Sequence, residues 1–314
     1  MRVLVLGGCG FVGSKLCLEL CRSGMEVTVV DAVWFGNFLP FELDYKLVIK
    51  DLSELQLCDF AGFDVVIHLA NVANDPSAEL NESLSWNVNV LETQRIVEKS
   101  ISAGVKKIIY ASSGSVYGIS DEEFVTEGTP LLPISKYNKT KMVAERVLLS
   151  YASDIDVYIV RPATVCGLSP RMRFDVAVNL LVRQAVINGE MLVLGGSQVR
   201  PNVHIDDLVS VYLHMVEGVQ IMPGIYNVGF ENIAIKDLAV MIAEATGSRV
   251  KVSASNDPRS YRLDSSKLLA TGFEPSKNVG AAIEELVEFL STTPGSSYID
   301  QALTVQWMTK CRIS

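Results

Sequence analysis

The chain opens on an apolar run, Val3-Leu4-Val5-Leu6, that passes through Gly7-Gly8-Cys9-Gly10-Phe11-Val12-Gly13 into a helical pattern and returns through Val27-Thr28-Val29-Val30 to Asp31. That order predicts a strand, a glycine turn, a helix, a parallel strand and a closing acid. Glycines at 7, 10 and 13 permit a tight turn, close approach of backbone to a diphosphate, and close packing of helix on sheet. A glycine turn alone has a purely steric use. Here strand, helix, strand and acid all fall where a bound dinucleotide needs them. Asp31 is placed to accept hydrogen bonds from an adenosine ribose. With Ala32 and Val33 after it and no Arg or Lys nearby in sequence, a 2′-phosphate would meet an uncompensated carboxylate. The expectation is therefore NAD, not NADP.

Further apolar runs at Leu47-Val48-Ile49, Val65-Val66-Ile67, Lys107-Ile108-Ile109-Tyr110 and Val157-Tyr158-Ile159-Val160 alternate with helical stretches. Alternation of this kind predicts an α/β fold, a Rossmann-type doubly wound parallel sheet covered on both faces. Residues 86–103 and 136–152 read as long amphipathic helices whose apolar faces suit the sheet or a second subunit. After Cys166 the rhythm loosens into a loop with Pro170, Arg171 and Arg173, followed by a helix over 175–189. Residues 1–166 thus read as the dinucleotide domain and 167–314 as mainly a smaller α/β substrate-binding lobe. Residues 201–230, with a strand near Ile225-Tyr226-Asn227-Val228, return to the first domain, a helix follows over 235–246, and residues 292–298 read as a loop.

The 314 residues, 49% hydrophobic and 20% charged, suffice for a sizeable core. A formal charge of −9 excludes a general nucleic-acid or anionic-membrane binder, since both need a basic footprint. No run reaches membrane-spanning length and no leader is visible. The six cysteines have no C-x2-C spacing and read as reduced, mostly buried thiols of a cytoplasmic protein. His68, His204 and His214 are too few and too scattered for a zinc site by spacing, so no metal is expected.

Tyr137-Asn138-Lys139-Thr140-Lys141 sets a phenol and an ammonium four apart on one face of a predicted helix. A nearby ammonium stabilises phenolate and brings the tyrosine towards the range of a general base. In isolation such a pair is more simply a packing residue and a solvated lysine. After a dinucleotide unit, and with a hydroxyl-rich strand end at Ser112, Ser113 and Ser115, the catalytic reading is the stronger. Position alone does not choose among the three serines.

At this point the chain resembles the extended short-chain dehydrogenase/reductases, specifically the NAD-dependent nucleotide-sugar epimerase/dehydratase group. The residues that carry the resemblance are the Gly7–Gly13 loop, Asp51-Leu52, His68-Leu69-Ala70-Asn71, Asn87-Val88-Asn89, the 111–118 segment ending Val116-Tyr117-Gly118, Tyr137 with Lys141, the 161–165 segment, and the 200–207 segment. The resemblance implies Ser113, Tyr137 and Lys141 as catalytic residues, Ser113 lying four residues before Tyr117. It implies cofactor contacts from Gly7, Gly10, Phe11, Val12, Gly13, Asp31, Leu69, Ala70, Asn71, Asn87, Pro162 and Val165. Asp51 and Leu52 would hold the adenine, and Lys141 would also bind the nicotinamide ribose. His68 and His204 read as packed structural residues.

The resemblance also implies oxidation of a nucleotide-diphosphate sugar to a 4-keto intermediate. Dehydratases of the group then need an Asp-Glu pair after the catalytic hydroxyl, where this chain has Gly114-Ser115; decarboxylases carry a glutamate there, also missing. Epimerisation at C4 needs only Ser113, Tyr137 and Lys141. A 4-dehydrogenase or 4-ketoreductase performs half of the same cycle and is the alternative, with a non-catalytic NAD sensor further off. Asn179, Arg200 and Arg259 fall in segments used for the substrate diphosphate, with Arg171 and Arg173 as further candidates. Arg259 and Arg262 equally suit ion pairs with Asp257 and Asp264. Pro201-Asn202 replace the group's acid and aromatic, which implies an unusual substrate pocket. A homodimer through the helices at 86–103 and 136–152 is implied as well.

Overall fold

The structure, a computed structural model, describes residues 1–313 except 121, 219–220, 256, 258 and 294–297. Along the chain, β1 (Arg2–Leu6), α1 (Phe11–Arg22) and β2 (Glu26–Asp31) form the first unit, followed by β3 (Tyr45–Ile49) and β4 (Val65–His68). Helices α2 (Asp75–Leu80) and α3 (Glu82–Trp86) lead through a π-helical turn at Asn87–Leu91 into α4 (Glu92–Ser102). Next come β5 (Lys107–Ala111), the short β6 (Phe124–Val125), α5 (Lys136–Leu149), β7 (Asp156–Pro162) and β8 (Thr164–Cys166). The chain continues through α6 (Ala177–Asn188), β9 (Glu190–Leu194), β10 (Val199–His204), α7 (Ile205–Glu217), β11 (Gly224–Val228), β12 (Glu231–Ala234) and α8 (Ile235–Thr246). It ends with β13 (Arg249–Ser253), β14 (Arg262–Leu263), α9 (Ser266–Leu269), α10 (Val279–Thr292), α11 (Tyr298–Ala302) and α12 (Thr304–Cys311).

Seven strands form one parallel sheet in the order β11-β7-β5-β4-β1-β2-β3. Successive β1 side chains serve opposite faces: Val3 and Val5 enter one apolar cluster with α1 and α7, Leu4 and Leu6 another with α4 and α5. Burial on both faces is why this strand reads as an unbroken apolar run. The connections diverge between β1 and β4, so the carboxyl ends of those strands open a crevice where ligands of such sheets bind. Strand β10 pairs with β8 and β12 in a separate three-stranded sheet, whereas α7 packs on α1 and β11 joins the large sheet. Residues 205–228 therefore hold the elements that return to the large sheet; residues 201–204 do not.

A third apolar cluster is built on α6, α8 and α10. The uninterrupted helix expected over 86–103 is instead broken by the π turn, where Glu92 N–H reaches back five residues to the Asn87 carbonyl. Residues 294–297 of the expected 292–298 loop lie outside the described residues. All six cysteines are free; Cys9, Cys17 and Cys166 are buried, but Cys58 and Cys311 are exposed. Among the described residues no helix is long and apolar enough to cross a membrane.

Candidate active site

The crevice beside β1 and β4 is a cleft of about 400 Å³ whose floor is the glycine loop. Gly7 sits at φ +87°, and a Cβ there would lie 2.5 Å from the Ala70 amide nitrogen; a Cβ on Gly13 would lie 2.3 Å from the Gly7 carbonyl. Neither position admits a side chain, which is why the loop can fold back on its own helix. Gly10 is the N-cap of α1 and supplies no capping side chain. The first-turn amides are thus left for an anion, with the positive end of the helix behind them.

Asp31 lines the cleft at the end of β2. Its carboxylate accepts from Cys9 N–H at 2.9 Å and Val33 N–H at 2.7 Å, while burial raises its pKa. Two backbone donors thus fix its orientation. Asp51 caps the short helical turn at Leu52–Glu54, and Asp51, Leu52, Leu69, Ala70, Asn71, Pro162 and Val165 line the cleft with Phe11 and Val12. The glycine cradle, the oriented carboxylate and the uncapped helix end fit a dinucleotide.

At the far end, the hydroxyls meet. Ser113 N-caps the turn after β5, and its Oγ lies 2.7 Å from that of Ser115, which donates to Asn138 Oδ1 at 2.6 Å. Tyr137 and Ser113 both line the cleft at this end. Ser112 also lines the cleft, but its hydroxyl is engaged with buried Glu145. The geometry thereby separates the three serines that sequence position left equal.

Lys141 stands behind this pair. Only 1% exposed, its Nζ donates to the Ala111 carbonyl at 2.7 Å and the Tyr110 hydroxyl at 3.2 Å. Burial lowers its pKa to about 7 and pushes Tyr137 up to about 12, with Arg173 the cation that opposes the latter. The ammonium is thus held at the end of β5, 5.9 Å from the centre of the Tyr137 ring.

Four expected site residues lie outside the cleft lining. Asn87 is exposed on the π turn, while its neighbour Val88 lines the cleft and Asn89 is buried, bridging Val72 and Thr140. Successive residues of a helix point in different directions, so only one of such a run can face the ligand. Asn179 is fully buried and clamps the 167–173 loop through the Gly167 and Arg173 backbones. Arg200 and Arg259 lie outside the cleft lining: both pair with Asp257, and Arg259 also reaches Asp75 at 2.8 Å. Arg173 is held bidentate by Asp175.

His68 is buried beside Thr93, and desolvation lowers its pKa to about 3, leaving it neutral. His204, Asp206 and Glu285 bring one ligand atom each within 4.8 Å of one another, a convergence invisible in their spacing. His204 Nδ1 accepts from Asp206 N–H, which places the neutral ring's proton on Nε2, and Lys15 already supplies a cation to Asp206. His204 Nε2 lies 3.3 Å from Glu285 Oε2 without a hydrogen-bond partner among the described residues.

One network was not visible in the sequence. Buried Glu145 pairs with Arg161 at 2.6 Å, Arg161 donates to the Tyr117 hydroxyl at 2.8 Å, and Tyr117 donates to Asn227 at 2.6 Å. It ties α5, β7 and β11 together behind the serine-tyrosine pair. Glu145 follows Lys141 by one helical turn, a spacing that could have signalled it.

A cleft floored by a glycine-rich loop and lined at its far end by Ser113 and Tyr137 has the layout of a nucleotide-dependent enzyme of the short-chain type. Residues 3–229 match the NAD dependent epimerase/dehydratase family, and the chain belongs to that family. It is 29% identical over 287 residues to a putative UDP-arabinose 4-epimerase of Arabidopsis thaliana, covering 80% of this chain and 66%, just under two thirds, of that relative. An uncharacterised UDP-glucose epimerase of Bacillus subtilis is 27% identical, with 93% of this chain and 98% of that one covered. The crystal structure of a UDP-glucuronic acid 4-epimerase from Bacillus cereus, in complex with UDP-glucuronic acid and NAD, superposes with a TM-score of 0.84 at 25% identity, covering 93% and 99% of the chains.

Proposed function

We propose that the protein is an NAD-dependent nucleotide-sugar epimerase acting at sugar C4 through a 4-keto intermediate. The observation that carries this is the Ser113–Tyr137 pair at the end of the dinucleotide cleft, with no second acid or base in the turn that follows. The turn carries Gly114, where a Cβ would lie 3.1 Å from the Pro162 carbonyl, so a side chain there would require that backbone to give by a few tenths of an ångström. The activities of the relatives and of the similar crystal structure support the same class.

Tyr137 takes the proton of the sugar 4-hydroxyl and Ser113 orients that hydroxyl, the Ser115–Asn138 relay holding Ser113 in place. Bound NAD supplies the hydride acceptor and donor. Once the ketone presents its other face, Tyr137 returns the proton. The 167–314 lobe, without α7 and β11, holds the nucleotide-sugar, and Arg200 and Arg259 reach its diphosphate by exchanging Asp257 or Asp75 for phosphate. The protein acts as a homodimer through α4 and α5, and its free thiols support a reducing, cytoplasmic setting. Sedimentation at micromolar concentration tests the dimer. Incubation with a panel of UDP-, GDP-, CDP- and dTDP-sugars tests the reaction: an isomeric product without net NADH is expected. Accumulating NADH with a product two hydrogens lighter would assign a 4-dehydrogenase instead.

A further inference from the structure

Arg171 is 3% exposed yet lines the dinucleotide cleft. Its partners are poor for a buried cation. Nη2 donates to the Gln301 carbonyl at 3.3 Å and to Thr304 Oγ1 at 3.4 Å, and the guanidinium lies 4.2 Å from the centre of the Phe35 ring. Nε has no hydrogen-bond partner among the described residues. Asp31 and Asp175 act on it only through space, since Asp31 is engaged by Cys9 and Val33 and Asp175 by Arg173. Burial and the neighbouring Arg173 lower its pKa to about 9.

An uncompensated buried cation is costly unless an anion completes it. The backbone shows which anion is near. Arg171 N–H donates to Ser14 Oγ at 3.2 Å, and Ser169 Oγ donates to the Phe11 carbonyl at 2.6 Å, so the 169–171 stretch is fastened to the first turn of α1. That turn carries the amides left open by the uncapped Gly10. We propose that Arg171 binds the diphosphate of the dinucleotide from the side opposite the glycine loop, closing the cleft between the 167–173 loop and α12. This rests on the NAD assignment above and extends it. It moves Arg171 from a candidate for the sugar nucleotide to a ligand of the cofactor.

The test is binding, measured by calorimetry on the full chain with NAD, ADP, adenosine and NADP, alongside thermal unfolding of the ligand-free protein. For Arg171→Met, affinity for NAD and for ADP is expected to fall about ten- to one-hundred-fold, the worth of one or two charge-assisted hydrogen bonds. Adenosine affinity should change less than about two-fold, and the ligand-free unfolding temperature should hold or rise because an unpaired buried charge has gone. Arg171→Lys, which keeps the charge without the fork, should lie between. A drop in unfolding temperature with unchanged ADP affinity would assign Arg171 a purely structural role and overturn the proposal. So would a loss confined to NADP, which would place the guanidinium on a 2′-phosphate. Failure of the unmodified protein to bind NAD at all would overturn the cofactor assignment, and this inference with it.

Discussion

The Lys141 ammonium lies 5.9 Å from the centre of the Tyr137 ring and donates instead to the Ala111 carbonyl and the Tyr110 hydroxyl. Two residues one helical turn apart thus have divided positions: the phenol faces the cleft beside Ser113, and the ammonium faces the strand end. Burial holds the phenol up at about 12, which works against its proton-accepting form, and Arg173 is the cation that opposes this.

Tyr137→Phe should therefore lower turnover by about 10²- to 10⁴-fold, the usual worth of a positioned acid-base group, while NAD affinity stays within about two-fold. Steady-state rates and a cofactor titration check both halves. Turnover within a few-fold of the unmodified enzyme would remove Tyr137 from the chemistry.

Lys141 gives a pH dependence whose sign follows from burial. Its pKa falls from 10.5 to about 7 on folding, so between those values the unfolded chain binds a proton that the folded chain does not. Stability from this group therefore rises with pH across that window. The difference in unfolding free energy between the unmodified protein and Lys141→Met should shift by more than about 1 kcal/mol in favour of the unmodified protein from pH 7.5 to 9.5, on the order set by the linkage relation. A pH-independent difference in urea unfolding would contradict the buried, partly neutral lysine.

Glu145 and Arg161 are both almost completely buried and paired at 2.6 Å. Glu145→Gln leaves the guanidinium without its counter-charge, for an expected loss of about 3–5 kcal/mol in denaturant unfolding. Replacing both by apolar residues of similar volume should recover most of that loss. A cost below about 1 kcal/mol for the single change would show that the pair is solvated or exchangeable.

The first βαβ unit was readable because its signals are local: glycine spacing, an apolar run on each side, and an acid at the strand end. The seven-stranded sheet followed from the same logic repeated. What the sequence hid depends on distant segments meeting. No Arg or Lys stands beside Asp31 in the chain, yet Arg171 is brought into the same cleft from beyond β8. Thr304 and Met308 of α12 also reach the cleft, and Trp307 Nε1 donates to the Trp34 carbonyl at 2.7 Å, contacts that no periodicity encodes. Asn87 was expected at the cofactor because its motif matched, but the π turn decides which residue of the run faces inward. Arg259 was read as open to both phosphate and ion pairing, and here it holds two carboxylates.

The central claim is a hydride taken from C4 and returned to C4 by one enzyme. The most direct measurement uses a UDP-sugar deuterated at C4, with NAD and the purified protein, and follows the product by mass spectrometry and NMR. The account expects an isomer inverted at C4 that retains its deuterium there, without accumulation of reduced cofactor. Loss of the label to solvent, or to free reduced NAD with release of a 4-keto sugar, would contradict it.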